Sequence, residues 1–412
     1  MIRTYVPILE EDLENAYNVA RNTSYYLIDQ TKENIISTFK REKESIIQFL
    51  NALSTNKMRR IHFAARGRSL YMGARTLADR LVQLQMEVVY PSLEQYIVYD
   101  PTSIIVKGDL VIAISTSGFT SKVIKKVDFA KSIGCDVYSF TINSKSHLAD
   151  VSDITIIFDD RANDEKIKAN YNPQPITPLG TNSEFTQLIL MEALAVGLRD
   201  LLYNVVDVDN AFENTQNVAI ELLDNAKNSL DHAYSKCSTA IKDFLANLLL
   251  KYYSQQTVHF CARGKTFNMA VGPFKMRLDQ IPNAFVTSIL DFEPLNRPVR
   301  KGQVTIAVSG SGMAYPIAKM AKEKGSMLIT ISSYHNKLID IGDVVIILPG
   351  RKETPDDDWD LRQWKGWKSE FAPKGTIFEV SATSLLEGIF AGIVSYIGIS
   401  EEDMRQGHAN IE

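Results

Sequence analysis

The chain has 412 residues, of which 45% are hydrophobic and 23% are charged, a balance typical of a globular protein with room for two domains. Its 45 lysines and arginines against 49 acidic residues leave a net charge of −4, so no basic field favours nucleic acid or an anionic membrane. The amino terminus is too short and polar for a secretory signal, and no uninterrupted run of about 18 apolar residues predicts a membrane span. We therefore expect a cytoplasmic protein without nucleic-acid or membrane partners.

Two helices are predicted before the first strand, because apolar residues recur at helical spacing between about residues 10 and 53. A short strand at 60–65 then leads through a loop into a helix at 70–84. Later helices are predicted at 121–133 and 185–202. Further strands are predicted at 87–90, 110–115, 136–141 and 154–158. About five strands that alternate with helices predict a parallel, doubly wound α/β sheet.

The second half of the chain repeats this plan. Three loops recur at an offset of about 195 residues, a spacing that indicates an internal repeat. The matching pairs are 66–69 with 263–266, 115–120 with 309–314, and 178–184 with 373–379. We predict two tandem domains, 1–205 (the first half) and 206–412 (the second half), each with leading helices. A charged insert at 350–371 holds all three tryptophans, and we interpret it as a packed surface loop rather than a lid.

The loop after the predicted strand at 110–115 has the composition of an anion site. Gly118 lets the backbone approach a ligand closely, and the helix that follows adds unpaired N–H groups and a positive dipole end. One Ser-x-Ser-Gly stretch is also an ordinary turn, but two copies in matching contexts favour phosphate binding. The predicted phosphate contacts are Ser69, Ser115, Ser117 and Thr120 in the first half, and Thr266, Ser309 and Ser311 in the second.

Several stretches resemble the SIS (sugar isomerase) domain, and within that superfamily most of all the 6-phospho-3-hexuloisomerases. They are Gly67-Arg-Ser69, Ser115-Thr-Ser-Gly-Phe-Thr120, Pro178-Leu-Gly-Thr181 with Glu184, and the carboxyl-terminal His408-Ala-Asn-Ile-Glu412. The resemblance implies two flavodoxin-like SIS domains that bind a phosphosugar without a cofactor. That family usually has a single such domain, so the covalent tandem is a departure that is similar to the paired isomerase domains of glucosamine-6-phosphate synthase.

Moving a carbonyl between adjacent sugar carbons requires a base that carries a proton through an enediol. The resemblance makes Glu184 and Glu379 the candidate bases and His408 the group that opens the ring or shuttles a hydroxyl proton. Without the resemblance, each glutamate is an ordinary first-turn acid stabilised by the helix dipole. Arg68 and Lys265 are predicted substrate contacts, with simple solvation as the alternative.

Each half lacks a predicted site residue that the other half has. Ala314 stands where the first half has Thr120, and the first half ends without a histidine that corresponds to His408. The sites are therefore either shared between the halves, or one of them has decayed. His62 and His259 occupy equivalent points of short strands and are predicted to be structural. No group of residues has the spacing of metal ligands, so the sequence does not predict a metal site.

These observations predict an isomerase, that is, an intramolecular oxidoreductase acting on a phosphorylated sugar. The reaction implied most closely by the resemblance interconverts 3-hexulose 6-phosphate and fructose 6-phosphate. The alternatives are another SIS-type isomerase or an amino-sugar-phosphate deglycase, and, in a different class, a non-catalytic phosphosugar sensor. We expect an intrachain pseudodimer that acts alone or pairs again as a homodimer.

Overall fold

The computed structural model describes residues 8–55, 59–91, 104–281, 286–290, 297–351 and 376–407. In the first half, β1 (Ile61–Ala65), β2 (Leu110–Ile114), β3 (Asp136–Thr141) and β4 (Ile154–Ile157) form a parallel sheet in that order. Ile61 also forms a parallel bridge with Val88 on the free side of β1. The strand predicted at 87–90 is therefore wrong in extent, because in the described residues only this single bridge forms.

In the second half, the sheet order is β6-β5-β7-β8-β9, and all the pairs are parallel. The strands are β5 (Thr257–Cys261), β6 (Val286–Ile289), β7 (Val304–Val308), β8 (Met327–Ser332) and β9 (Val344–Ile347). With the Val88 bridge in the place of β6, both sheets follow the flavodoxin-like order 2-1-3-4-5. All five residues of β2 and of β7 are buried, as expected for strands covered on both faces. The predicted fold class, two tandem doubly wound parallel sheets, is confirmed.

The two leading helices predicted for each half are present. Helices surround both sheets. In the first half they are α1 (Glu10–Arg41), α2 (Lys43–Thr55), α3 (Thr76–Gln83), α4 (Ser121–Ser132), α5 (His147–Val151), α6 (Asp164–Lys168) and α7 (Thr181–Leu202). In the second half they are α8 (Val208–Lys236), α9 (Ser238–Ser254), α10 (Gly264–Thr266), α11 (Gly272–Asp279), α12 (Tyr315–Glu323), α13 (Lys337–Asp340), α14 (Ile377–Ile397) and α15 (Glu401–Gly407). Equivalent π-helical segments precede α3 and α11, at Ser69–Arg75 and Phe267–Val271.

The halves interlock through their leading helices. Helix α1 of the first half packs along α14 of the second half, and α8 of the second half packs along α7 of the first. Glycines permit the close approach, since an added Cβ at Gly392 would lie 2.6 Å from the Ala16 carbonyl oxygen, and one at Gly197 would lie 3.0 Å from that of Ala211. One hydrophobic cluster consequently runs through both halves.

Helix α14 has the length and hydropathy of a membrane-spanning helix. However, 94% of its apolar window is buried inside the protein, where α14 contacts α1, α8 and α9. Its apolar composition is accounted for by this central position, where a helix that is hydrophobic all round is expected.

Two buried histidines in the strands have structural partners. The Nε2 atom of His62 lies 3.0 Å from Oδ2 of Asp109, and Nε2 of His259 lies 2.9 Å from Oε1 of Gln303. Burial lowers the pKa of both imidazoles, so they are neutral near pH 7. Each histidine therefore has one of the polar partners expected of a structural residue, whereas Nδ1 of His259 has none among the described residues.

Candidate active site

Three loops of the first half converge at the carboxyl ends of the neighbouring strands β1 and β2. They are the loop that ends at Ser69, the hydroxyl-rich loop at 115–120, and the turn that starts α7. Thr116 links two of them, because its Oγ1 accepts hydrogen bonds from Nε2 of Gln187 (2.9 Å) and from Oγ of Ser183 (3.5 Å). This arrangement places the predicted phosphate loop beside the first turn of α7.

The hydroxyl-rich loop is folded tightly at the amino terminus of α4. The hydroxyls of Ser115 and Thr120 lie 3.0 Å apart, and the Gly118 amide donates to Oγ of Ser115 at 3.2 Å. The Phe119 amide donates to Oγ of Ser117 at 3.2 Å. Gly118 has a φ of +71°, and an added Cβ there would lie 2.2 Å from Oγ of Ser146, so only glycine fits. The loop thus gathers three hydroxyls at the amino terminus of α4, the end of a helix that favours anions.

Glu184, in the first turn of α7, is held by two arginines from different halves of the chain. Its Oε2 lies 3.0 Å from Nε of Arg68, which follows β1, and 3.0 Å from Nη2 of Arg277, which lies on α11 of the second half. The Glu184 side chain keeps 13% of its exposure, whereas the two arginines keep 2% and 1%. A partly exposed carboxylate is therefore fixed by two buried cations.

Glu387 on α14 balances the charge of this group. Its Oε1 lies 2.7 Å from Nη2 of Arg68, and its Oε2 lies 3.7 Å from Nε of Arg277. We call Arg68, Glu184, Arg277 and Glu387 the first cluster. Two cations and two anions together satisfy the requirement that buried charges be paired.

Both arginines of the first cluster stay charged near neutral pH. Burial and the neighbouring Arg68 lower the pKa of Arg277 to about 10, and the two glutamates oppose this shift. For Arg68, burial also disfavours the charged form, but Glu184 and Glu387 outweigh it and hold the pKa above its ordinary value. The carboxylate of Glu184 therefore faces two positive charges at physiological pH.

The second half carries a matching arrangement, which we call the second cluster: Arg80, Glu192, Lys265 and Glu379. Arg80, from α3 of the first half, binds Glu192 of α7 through Nε at 3.0 and 2.9 Å. Thr376 donates to Oε2 of Glu192 at 2.7 Å and also contacts Arg80. Arg80 and Glu192 thus correspond to Arg277 and Glu387 of the first cluster, and each cluster draws on both halves.

The candidate base of the second cluster is enclosed differently. Glu379 is fully buried, its Oε1 accepts a hydrogen bond from Oγ1 of Thr266 at 3.2 Å, and the same atom pairs with Nη2 of Arg351. The Arg351 side chain also covers the second loop, because an added Cβ at Gly310 would lie 2.8 Å from its Cδ and Nε. Arg351 therefore separates Glu379 from the solvent side of that loop.

Lys265 stands where the first cluster has Arg68. Burial and the charge of Arg80 lower the pKa of Lys265 to about 8, while Glu192 and Glu379 act in the opposite direction. A lysine is a point charge and lacks the planar fork with which arginine binds a carboxylate. The two clusters therefore hold their glutamates by different chemistry.

A cavity of about 480 Å³ lies near the carboxyl-terminal end of the described chain. Its walls include Arg161, Lys168, Pro178, Glu401 and Met404, so it runs between the turn before α7 and the carboxyl-terminal helix α15. The charge of Glu401 also acts on Arg277. Helix α15 thus brings the end of the described chain within electrostatic range of Arg277. His408 lies outside the described residues, and so do residues 352–371 of the predicted insert at 350–371.

Comparison with known proteins adds to this geometry. Residues 55–196 match the model of the SIS domain. A protein of Aeropyrum pernix is 32% identical over 175 residues, which are 41% of this chain and 80% of that protein. The 3-hexulose-6-phosphate isomerase of Methylomonas aminofaciens is 31% identical over 162 residues, which are 37% of this chain and 82% of the isomerase. The chain belongs to the SIS domain family.

Solved structures extend the likeness of this SIS chain over both halves. Tagatose-6-phosphate ketose/aldose isomerase from Escherichia coli aligns with a TM-score of 0.57 and 13% identity, covering 97% of each chain. The C-terminal domain of glucosamine-fructose-6-phosphate aminotransferase from Francisella tularensis aligns with a TM-score of 0.56 and 15% identity, covering 89% of this chain and 96% of that one. At these identities the likeness concerns the fold alone, and it extends over both halves of the chain.

The SIS chain gathers its predicted site residues into two groups, one for each half. Ser115, Ser117, Thr120, Arg68, Ser69 and Glu184 lie on the converging loops of the first half. Thr266 and Glu379 are in contact in the second half, where Lys265 acts on Glu379 through its charge. Ser309 and Ser311 flank Gly310, which Arg351 covers. Their roles in binding and catalysis remain predictions.

Five charged residues of these sites were not among the residues predicted from the sequence. Arg80 and Arg277 match in the repeat, and Glu192 and Glu387 are acids inside otherwise apolar helices. A buried carboxylate that recurs in both copies of an apolar helix is a signal that could have indicated them. Arg351 lies at the edge of the insert, where the repeat offers no comparable signal.

Proposed function

We propose that the first cluster isomerises a phosphorylated sugar, and that its reaction interconverts 3-hexulose 6-phosphate and fructose 6-phosphate. The observation that carries the proposal is the carboxylate of Glu184, held at 3.0 Å by Arg68 and by Arg277 beside a hydroxyl-rich loop. Membership of the SIS domain family supports a phosphosugar substrate. The likeness to the Methylomonas isomerase supports the particular sugar.

The phosphate is proposed to bind the loop at 115–120. Ser115, Ser117 and Thr120 offer hydroxyl donors, and the amino terminus of α4 offers backbone amides and a positive dipole end. Ser69, the first residue of a π-helical segment, completes this set from the neighbouring loop. When the phosphate is bound at this loop, the sugar carbons are proposed to extend toward the first turn of α7, where Glu184 lies.

Glu184 is proposed to carry the proton. It removes the hydrogen from C2 of 3-hexulose 6-phosphate, and the electrons of the broken C–H bond form the C2–C3 double bond while negative charge moves to the C3 oxygen. A proton then moves from the C2 hydroxyl to the C3 oxygen, and return of the proton from Glu184 to C3 leaves a carbonyl at C2 and a hydroxyl at C3, which gives fructose 6-phosphate. The guanidinium groups of Arg68 and Arg277 supply fixed positive charge close to where this negative charge develops. His408 is proposed to assist with hydroxyl protons.

A coupled assay tests the proposal. The purified chain is given 3-hexulose 6-phosphate without added nucleotide or metal, and fructose 6-phosphate is detected. We expect turnover in the wild type and a loss of at least about 100-fold in kcat for Glu184→Gln, since general bases contribute about 10²–10⁴-fold. Glu379→Gln is the matched control. Absence of turnover in the wild type would contradict the proposed reaction.

A further inference from the structure

Arg277 lies in the second half of the chain but makes most of its contacts with the first half. Its Nη2 donates to Oε2 of Glu184 at 3.0 Å, to Oγ1 of Thr181 at 2.8 Å and to the Leu179 carbonyl at 3.2 Å. Within its own half, Nη1 donates to Oε1 of Gln280 at 2.9 Å. One buried guanidinium therefore joins α11 to the start of α7.

The three first-half contacts fall on a turn with an unusual backbone. Leu179 has a φ of +51° and Gly180 has a φ of +79°, and α7 begins directly after them. A left-handed conformation at a non-glycine residue is unfavourable and persists when its surroundings hold it. Arg277 holds the Leu179 carbonyl and the carboxylate of Glu184 at the same time, so it fixes both the helix start and the side chain.

Arg80 occupies the equivalent position in the second cluster and provides a comparison. It is also buried and also contacts the threonine at the start of the corresponding helix, Thr376. Its carboxylate partner is Glu192, however, and among the described residues the side chain of Glu379 pairs with Arg351 and Thr266 instead. Of these two equivalent arginines, Arg277 is the one that holds a candidate base.

We propose that Arg277 is a positioning residue that orients Glu184 for proton transfer, so that the first-half site works only when the second half is packed against it. The inference rests on the proposed function. It also favours the alternative in which the halves share a site. A small displacement of a catalytic group is sufficient for a large effect, since an error of about 1 Å can cost about 100-fold in rate.

The test compares Arg277→Lys with Arg59→Lys in the full chain, using the 3-hexulose 6-phosphate assay together with the thermal unfolding midpoint. Arg59 lies outside both clusters and likewise binds one carboxylate, that of Asp136, and two backbone carbonyls, those of Gly108 and Asp109. Lysine keeps the positive charge but cannot contact Glu184, Thr181 and Leu179 together. We expect kcat to fall about 100-fold in Arg277→Lys with KM changed less than about threefold, because the phosphate loop is untouched. Arg59→Lys should also lower the unfolding midpoint, while kcat stays within about threefold of wild type.

Equal losses of kcat in the two variants would overturn the inference, as would a loss confined to KM in Arg277→Lys. If Arg277→Lys does not fold, Thr181→Val takes its place, with Thr376→Val as its control. This change removes one anchor of Arg277 and alters no charge, and we expect kcat to fall in Thr181→Val only. An inactive wild type would instead show that the proposed reaction is wrong, and the inference would fall with it.

Discussion

Arg351 and Glu379 form an ion pair inside the second half, with Oε1 of the glutamate also bonded to Thr266. Glu379 is fully buried, whereas Glu184, its counterpart in the first half, keeps part of its side chain accessible. The two glutamates look equivalent in the sequence, but Arg351 covers only the second. This relationship leads to the first two predictions.

Glu379→Gln should leave the rate of isomerisation within about threefold of wild type, because substrate carbons cannot reach a carboxylate that Arg351 covers. Glu184→Gln should lower it by at least about 100-fold. The measurement is kcat for both variants in the coupled assay. A large loss in Glu379→Gln with full activity in Glu184→Gln would assign catalysis to the second half.

Arg351→Ala should lower the free energy of unfolding by about 3 kcal/mol, because it leaves the buried carboxylate of Glu379 without its cation. The double variant Arg351→Ala with Glu379→Gln should recover part of this loss, since the uncompensated charge is then gone. Chemical denaturation of the two single variants and the double variant measures the coupling. Strictly additive losses would show that the pair contributes nothing.

Fructose 6-phosphate should raise the thermal unfolding midpoint by binding the loop at 115–120, since a ligand that binds only the folded state stabilises it. The shift should be lost in a variant that combines Ser117→Ala with Thr120→Val. It should persist in Ser309→Ala with Ser311→Ala, because the second loop lies under Arg351 and has Ala314 in the place of Thr120. A shift lost in the second variant but kept in the first would place the ligand in the other half.

Gly392→Leu should destabilise the whole chain. The added side chain would collide with α1, because even a Cβ at this position lies 2.6 Å from the Ala16 carbonyl oxygen. Overpacking typically costs about 1–3 kcal/mol, and a collision with backbone lies at the upper end. Met320→Ala, at a residue that is 62% exposed, is the control and should change stability little. An unchanged denaturation midpoint in Gly392→Leu would contradict the close packing of α1 on α14.

Stability should decrease as the pH falls below about 6.5, because His62 and His259 are buried with lowered pKa values. A group whose pKa is lower in the folded than in the unfolded state binds more protons when unfolded, so acid favours unfolding. Stability begins to fall near the pKa that each histidine has in the unfolded chain. It stops falling below the pKa that the histidine has in the folded protein. Unfolding midpoints between pH 8 and 5 should fall less steeply in His259→Gln than in wild type; an identical pH dependence would exclude His259 as a contributor.

Patterns among residues that are close together in the sequence were sufficient to predict the parallel strands, the repeat and the hydroxyl-rich loop. Apolar runs such as Leu110–Ile114 mark parallel strands whatever surrounds them, and an abrupt change to hydroxyls and glycine marks the loop that follows. The near-constant offset of matching loops predicted two copies of one fold before any contact was known. The loop at 115–120 and the glutamate at the start of α7 were likewise readable, because each depends on residues adjacent in the chain.

Tertiary structure decided which charged residues of the two halves contact each other. Arg277 and Glu184 are 93 residues apart, and they meet because α8 packs along α7 and α1 packs along α14. The sequence shows two arginines at equivalent positions, yet Arg277 binds Glu184 whereas Arg80 binds Glu192. A buried ion pair depends on a few tenths of an ångström and on every neighbouring charge, and periodicity and spacing carry no information about either. The arrangement of the two halves around one shared core therefore determined the partners of the catalytic candidates.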